Sequence, residues 1–292
     1  MSIDPDKLLE TLTYKATAPS SEICQDLHDI SKLDRVVENK QAFWNRVRNI
    51  GFVGVFLWFF VAFLFSGAFL AVFMILWLVF LGLAIVGLIQ GHNYHKKNIP
   101  NHRYRLAENF IDLLDRDRDK SHPLSIRLIL SQPLDDSKKI STDPHPTRRG
   151  WKVESFEDNW LVLQGAFVDG TEFFISSTEN FQRKSGTKRS RSGKTKFKSK
   201  IKYKGEQMEL SLNFPKKRYG GIKILQYDAK GAVQLPKNAR VKRLKVADNK
   251  MQLTVKLKPA SEESIYQTVT MMLMSLYQVL NLAQKLTKKT TA

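Results

Sequence analysis

The sequence predicts an α+β membrane protein. N-terminal helices lead into a two-helix transmembrane hairpin, and an antiparallel β-rich cytoplasmic domain follows, closed by a C-terminal helix. Three observations predict this. The run from Asn49 to Gly91 contains no Asp, Glu, Lys, Arg or His. From Trp151 to Lys258, apolar residues recur at alternate positions in blocks separated by turn residues. From Ser261 the period changes to that of a helix.

The first segment, residues 1–48, carries two helical patterns. Asp4 can cap a helix running to about Tyr14, with Pro5 at the first helical position, where a missing N–H costs nothing. A second starts near Ser20 or Ser31. There Leu27, Ile30, Leu33, Val37 and Trp44 recur at helical spacing, and the helix can continue into the apolar run.

Residues 49–91 are about twice the ~20 residues that one transmembrane helix needs to cross ~30 Å of hydrocarbon. They read as two helices with a turn near Ser66-Gly67. Lys40, Arg46 and Arg48 precede the run and Lys96, Lys97, Arg103 and Arg105 follow it. The bias of positive charge towards the cytoplasmic side puts both termini there. Small residues four apart, Ala62/Ser66 and Gly87/Gly91, suit close helix packing, within the hairpin or between copies as a homo-oligomer. The absence of ionisable residues argues for an anchor rather than an ion path.

Residues 92–122 form a juxtamembrane helix with the stripe Leu106, Phe110, Leu113 and Leu114. Residues 123–292 form the basic β domain. Leu124, Ile126, Leu128 and Leu130 mark a half-buried strand, and Pro133 to Gly150 reads as a loop. Strands are expected over Trp151–Phe156, Trp160–Val168, Thr171–Ser176, Thr195–Tyr203, Gln207–Phe214, Ile222–Tyr227, Val241–Val246 and Met251–Leu257. Asp169-Gly170 suits a two-residue type I′ turn. Ser261 can cap the last helix, with Glu262 and Glu263 in its first turn.

The formal net charge of +19 is concentrated. Between Phe181 and Lys258 there are twenty-four Lys/Arg and four acids, whereas Met1 to Asn49 carries seven and eight. Such a concentration points to an anionic partner. Its centre is KTKFKSKIKYK, in which Lys194, Lys196, Lys198, Lys200, Lys202 and Lys204 alternate with Thr195, Phe197, Ser199, Ile201 and Tyr203. On a strand, alternate residues share a face, so the six ammonium groups are expected in one row of ~33 Å, with the opposite face on a core. Gly205 is expected to turn the chain into the next strand. Arg183, Lys184, Lys188, Arg189 and Arg191 are expected in a basic loop just before the comb. These eleven residues are the candidate anionic-partner site.

Three accounts of the comb compete. Anionic lipid headgroups or an acidic protein would be held by the lysines close to the membrane. Nucleic acid would be neutralised by the same groups, but base stacking calls for aromatic residues on their face, and Phe197 and Tyr203 alternate to the other. The third account is protection of a sheet edge against self-pairing.

Catalytic motifs are not found. Ser192-Gly193-Lys194-Thr195 resembles the end of a phosphate-binding loop, but Lys188 stands where that loop needs glycine. His92, His95 and His102 lack a carboxylate or cysteine at metal-ligand spacing and read as juxtamembrane polar residues. Cys24 and His28 are four apart without a third partner, and a single cysteine excludes intrachain disulfides. No catalytic residue, cofactor or metal is expected. The expected function is that of a non-enzymatic membrane-anchored scaffold or adaptor, with a membrane-tethered nucleic-acid binder as the alternative and an enzyme of unidentified type as the third reading.

Overall fold

The computed structural model describes residues 4–64, 69–190, 193–225, 228–259 and 261–291, and the chain divides into two compact units. One comprises Met1–Leu12 and His28–Asn101, the other Thr13–Leu27 and His102–Ala292.

In the first unit, helix α1 (Pro5–Thr11) begins as its sequence dictates. Asp4 Oδ1 accepts the amides of Asp6 (3.0 Å) and Lys7 (3.3 Å), and Leu12 ends the helix in the left-handed region at φ 47°. Helix α2 (Ser20–Leu64) is continuous for 45 residues, so the second helical pattern and the start of the apolar run are one element. Helix α3 (Phe69–Lys97) follows. The expected turn at Ser66-Gly67 lies outside the described residues.

Contacts of α2 with α3 and with Asn98 just after it run in opposite order along the two segments. Asn98 donates to Gln41 (3.1 Å), Gly87 abuts Arg48, Gly51 abuts Ala84, Gly54 abuts Phe80, and Trp58 meets Trp77 at 5.6 Å. Gly51 and Gly87 have the other helix's backbone where a Cβ would stand, so their lack of a side chain permits the approach. Away from this seam both helices expose large apolar residues: Phe52, Val53 and Phe56 on α2, and Ile75 (63% exposed), Leu78 and Ile89 on α3. Among the described residues, one helical stretch within Met74–Leu114 is long and apolar enough to cross a membrane, by length and composition.

The second unit is built on one antiparallel sheet. Its strands are β1 (Thr13–Ala18), β2 (Leu124–Ile129), β3 (Lys139–Pro144), β4 (Trp151–Ala166), β5 (Glu172–Arg189), β6 (Thr195–Asn213), β7 (Ala239–Ala247) and β8 (Lys250–Leu257). The order is β1-β2-β4-β5-β6-β8-β7, with β3 beside the early half of β4. Helix α4 (Asn101–Leu114) and the C-terminal helix α6 (Glu262–Thr291) meet through the stacked Phe110–Tyr266 pair, and Tyr277 of α6 lies edge-on to Phe167, the residue after β4. Met251, Leu253, Val255 and Leu257 of β8 alternate cleanly and all four are buried. Burial of each such side chain contributes roughly 1.5–3 kcal/mol. Short helix α5 (Lys216–Tyr219) follows β6.

Several expected elements differ. The separate strands of 151–156 and 160–168 are one strand, β4. The basic segment after Arg183 is not a loop, because β5 runs to Arg189. β3 lies inside the expected loop 133–150, and β1 inside the expected N-terminal helix region. Residues Gly220–Leu225 form a 3-10 helix rather than a strand. Ile222 and Leu225, three apart, are buried while Ile224 is exposed, so the period of three wins over alternation. The Asp169-Gly170 turn is a three-residue loop with only Gly170 at positive φ (+81°), closed by Gly170 N to Phe167 O and Phe167 N to Thr171 O.

Candidate anionic-partner surface

Two bulges divide the long strands. On β4, Trp160 is extra between the pairs Asn159↔Thr178 and Leu161↔Ser177. On β6, Lys204 is extra between Phe181↔Tyr203 and Asn180↔Gly205. Gly205 takes φ +102°, a conformation open to glycine. It therefore does not turn the chain. It lets one strand carry even-numbered residues inward on one side of the bulge (Met208, Leu210, Leu212) and outward on the other.

Beyond the bulges, the early half of β4, the late half of β5 and the early half of β6 form an arm with β3 on its flank. Its tip closes as the Gly170 hairpin does: Gly193, at φ +79°, donates to Ser190 O, and Ser190 N donates to Lys194 O (2.8 Å). The comb stretch is strand, but its apolar side does not rest on a core. Phe197 is 71% exposed and Ile201 53% exposed, because the arm extends beyond the packed helices.

The register sorts the eleven candidates. Directly paired residues share a face. Lys184↔Lys200, Lys188↔Lys196, Gly186↔Lys198 and Gln182↔Lys202 put Lys184, Lys188, Lys196, Lys198, Lys200 and Lys202 on one face in two rows. Among the described residues none of these six forms an ion pair. Lys194 lies before the strand and Lys204 sits in the bulge, so the single row of six shortens to four residues spanning ~20 Å.

Arg183 belongs to the opposite face. It pairs with Glu154 (2.6 Å) and Asp136 (3.6 Å) and lies over the Phe156 ring at 4.9 Å. Glu154 holds its guanidinium pKa above the usual value. Arg183 is therefore neutralised within the chain. Arg189 shares its parity and donates to Gly193 O (3.3 Å). Arg191 lies outside the described residues.

An aromatic ring does occupy the lysine face. Trp151 pairs with Gly186, covers its Cα, and donates Nε1–H to Thr187 O (3.0 Å). The Arg148 guanidinium stands 4.8 Å from the ring and His145 meets it edge-on. Sequence alternation within the comb could not reveal a residue from β4.

At the root of the arm lies a buried polar cluster that the sequence reading missed. Arg103 is fully buried and donates Nη2–H to Asp158 (2.7 Å) and to Glu179, and Nη1–H to Ile129 O (2.8 Å). Lys138 joins Asp158 at 2.9 Å. Two cations thus meet two carboxylates. Glu206, 1% exposed, is a further carboxyl: its Oε1 accepts from Trp160 Nε1 (3.0 Å) and from Ser177. Burial pushes its pKa up to about 7, with Glu179 adding to the rise. His102 Nε2 lies 3.6 Å from Glu179 and borders an open cleft with Phe181, Tyr203 and Glu262. Extending the inward alternation of Met208, Leu210 and Leu212 by two residues would have found Glu206.

The remaining candidates are placed apart from this chemistry. His95 faces Gln41 at 3.4 Å. Burial, ahead of the nearby Asp112, Glu108 and Asp115, pushes the Cys24 thiol up to about 11, which keeps it protonated and a poor nucleophile at neutral pH. Among the described residues no group of three His, Cys, Asp or Glu side chains is placed to hold a metal ion. Comparison with protein-family models, curated proteins and solved structures gave no match.

Proposed function

We propose that the chain is a non-enzymatic membrane-anchored scaffold or adaptor whose basic arm takes an anionic partner, either lipid headgroups or an acidic protein. One observation carries the reading: six lysines share one face of β5 and β6, two pairs of them directly opposed, and none is matched by an acid among the described residues. Like charges directly opposed weaken a sheet. A bound anion would relieve that repulsion; solubility alone requires no such arrangement.

The anchor is the hairpin of residues 49–91, with both termini on the cytoplasmic side. Its support is the apolar surface that α2 and α3 turn outward, much larger than the scattered apolar residues of an ordinary water-facing surface. The chain then tethers the basic unit to a bilayer, where each Lys near an anionic leaflet contributes ~1 kcal/mol.

A second reading, a membrane-tethered nucleic-acid binder, is favoured by Trp151 on the lysine face, since a base can stack on an indole. Its ring is already engaged by Arg148 and Gly186, which ranks this reading below the first.

The test uses the full chain in nanodiscs of neutral lipid. Vesicles containing phosphatidylserine, vesicles of phosphatidylcholine, an acidic polypeptide and RNA are offered at two salt concentrations. Salt-sensitive capture of the anionic vesicles or polypeptide supports the reading. Preference for RNA reverses the order, and capture of none refutes both. Cysteine labelling from one side of sealed vesicles checks the anchor: sites before residue 48 and after residue 100 should label together.

A further inference from the structure

The comb does more than face solvent: it lies along an open edge of the sheet. β6 pairs with β5 along its whole length, but β8 pairs only with Glu206–Asn213. β8 ends where Gly205 bulges, with the Leu257 carbonyl oxygen against the Gly205 Cα. From Thr195 to Lys204 the second edge of β6 therefore has no strand beside it among the described residues.

The phase of the ladder shows which groups that edge presents. Ser190 N donates to Lys194 O, so 190↔194 is a hydrogen-bonded pair. Such pairs alternate with non-bonded ones in an antiparallel ribbon. Lys196, Lys198, Lys200 and Lys202 consequently bond to β5. Thr195, Phe197, Ser199, Ile201 and Tyr203 turn their amides and carbonyls to the open edge.

Three features now coincide on ten residues: unpaired backbone groups, a row of lysines on one face, and the exposed Phe197 and Ile201 on the other. We infer that this edge accepts an extended acidic peptide as an added strand, with Asp or Glu at alternate positions facing the lysines and apolar residues between them facing Phe197 and Ile201. The inference rests on the anionic-partner reading and narrows it to a protein segment of stated pattern.

The physical argument separates this occupant from the others. Strand addition supplies main-chain hydrogen bonds for affinity, while alternate side chains supply specificity. A second copy of the same edge would bring lysine onto lysine, which is how charged edge strands prevent self-pairing. An acidic strand meets attraction at the same positions. A lipid surface would engage the lysines but leave the edge amides and the two apolar residues unpaired.

The experiment measures binding of labelled ten-residue peptides to the full chain in nanodiscs of phosphatidylcholine. One peptide alternates Glu with Val. A second scrambles the same composition, and a third carries N-methyl groups at alternate residues. Phosphatidylserine vesicles are offered in parallel. The alternating peptide is expected to bind at least tenfold more tightly than the other two. Ser199→Pro removes one edge amide and no β5 bond and keeps every lysine. It should weaken the alternating peptide at least tenfold and leave vesicle capture unchanged. Equal binding of all three peptides would reduce the interaction to charge and overturn the inference while sparing the proposed function. So would capture of vesicles without any peptide. Binding of neither peptide nor vesicle would overturn both. The N-methylated peptide keeps the question answerable if Ser199→Pro does not fold.

Discussion

Lys184 faces Lys200 directly across the β5–β6 ribbon, on the face opposite to the one where Arg183 meets Glu154. Adjacent residues of one strand thus have opposite electrostatic fates. Arg183 is neutralised inside the chain, and Lys184 is set against a like charge. Lys200→Glu would turn the repulsive pair into an attractive one. Cross-strand charge pairs are worth roughly 0.2–1 kcal/mol, so thermal stability should rise slightly while capture of anionic vesicles or acidic peptide falls several-fold. A variant that gains stability yet binds as before would show that the lysine face is not the binding face.

Glu206 makes stability depend on pH. Its folded pKa is raised from 4.5 to about 7 by burial, with Glu179 adding to the rise. Between those values the folded state holds a proton that the unfolded chain has released, so stability falls as pH rises from about 4.5 to about 7 and then levels. The denaturation midpoint should be higher at pH 5.5 than at pH 8. Glu206→Gln, which keeps an oxygen for Trp160 and Ser177, should flatten that slope. An unchanged slope would show that Glu206 does not carry the pH dependence.

The comb and its strand were legible because a period of two survives any sequence context. Alternation placed Lys196, Lys198, Lys200 and Lys202 on one face, but that Lys204 leaves it depends on the bulge, and that Lys184 and Lys188 join it depends on the β5 register. Alternation read from either side of Gly205 is correct locally, and nothing in the local pattern marks the extra residue. β3 escaped detection for a related reason: Lys139–Pro144 holds a single apolar residue, exposed Ile140, and is placed by its pairing with β4. At Gly220–Leu225 the alternation of Ile222 and Ile224 misled. The strand it suggested gives way to a 3-10 turn in which Gly221 N donates to Thr287 of α6 (2.8 Å) and the Gly221 Cα abuts Ala283 O.

The buried cluster was legible in principle. Arg103 continues the stripe of Leu106 and Phe110 by one turn, and Glu206 continues that of Met208 and Leu210. A charge on an apolar stripe reads as an error until its partner is seen, and here the partners Asp158 and Glu179 come from distant strands. Arg103→Met would remove the cation shared by the two carboxylates, leaving Asp158 facing Lys138 and Glu179 facing His102. Breaking one partner out of a buried ion cluster costs about 3–5 kcal/mol. A chemical-denaturation shift of that size is expected, partly recovered by Arg103→Met combined with Asp158→Asn and Glu179→Gln. Full stability of the single variant would mean that the cluster is solvated.

Gly205 joins the packed half of β6 to the arm, and two independent constraints hold it as glycine. Its φ of +102° is strained for any residue with a Cβ, and that Cβ would collide with the Leu257 carbonyl, which is backbone and cannot rotate away. A residue forced into such a conformation costs of order 1–3 kcal/mol, and the collision adds to it. In Gly205→Ala the strain can be released only if β8 retreats, loosening the Glu206↔Leu257 pair at the end of its ladder with β6. The variant should lose a few kcal/mol in chemical denaturation, and hydrogen exchange should quicken at Leu257 and Glu206 while Leu253 and Leu210 stay protected. Uniform exchange along β8 would show that the bulge does not control where the sheet ends and the open edge begins.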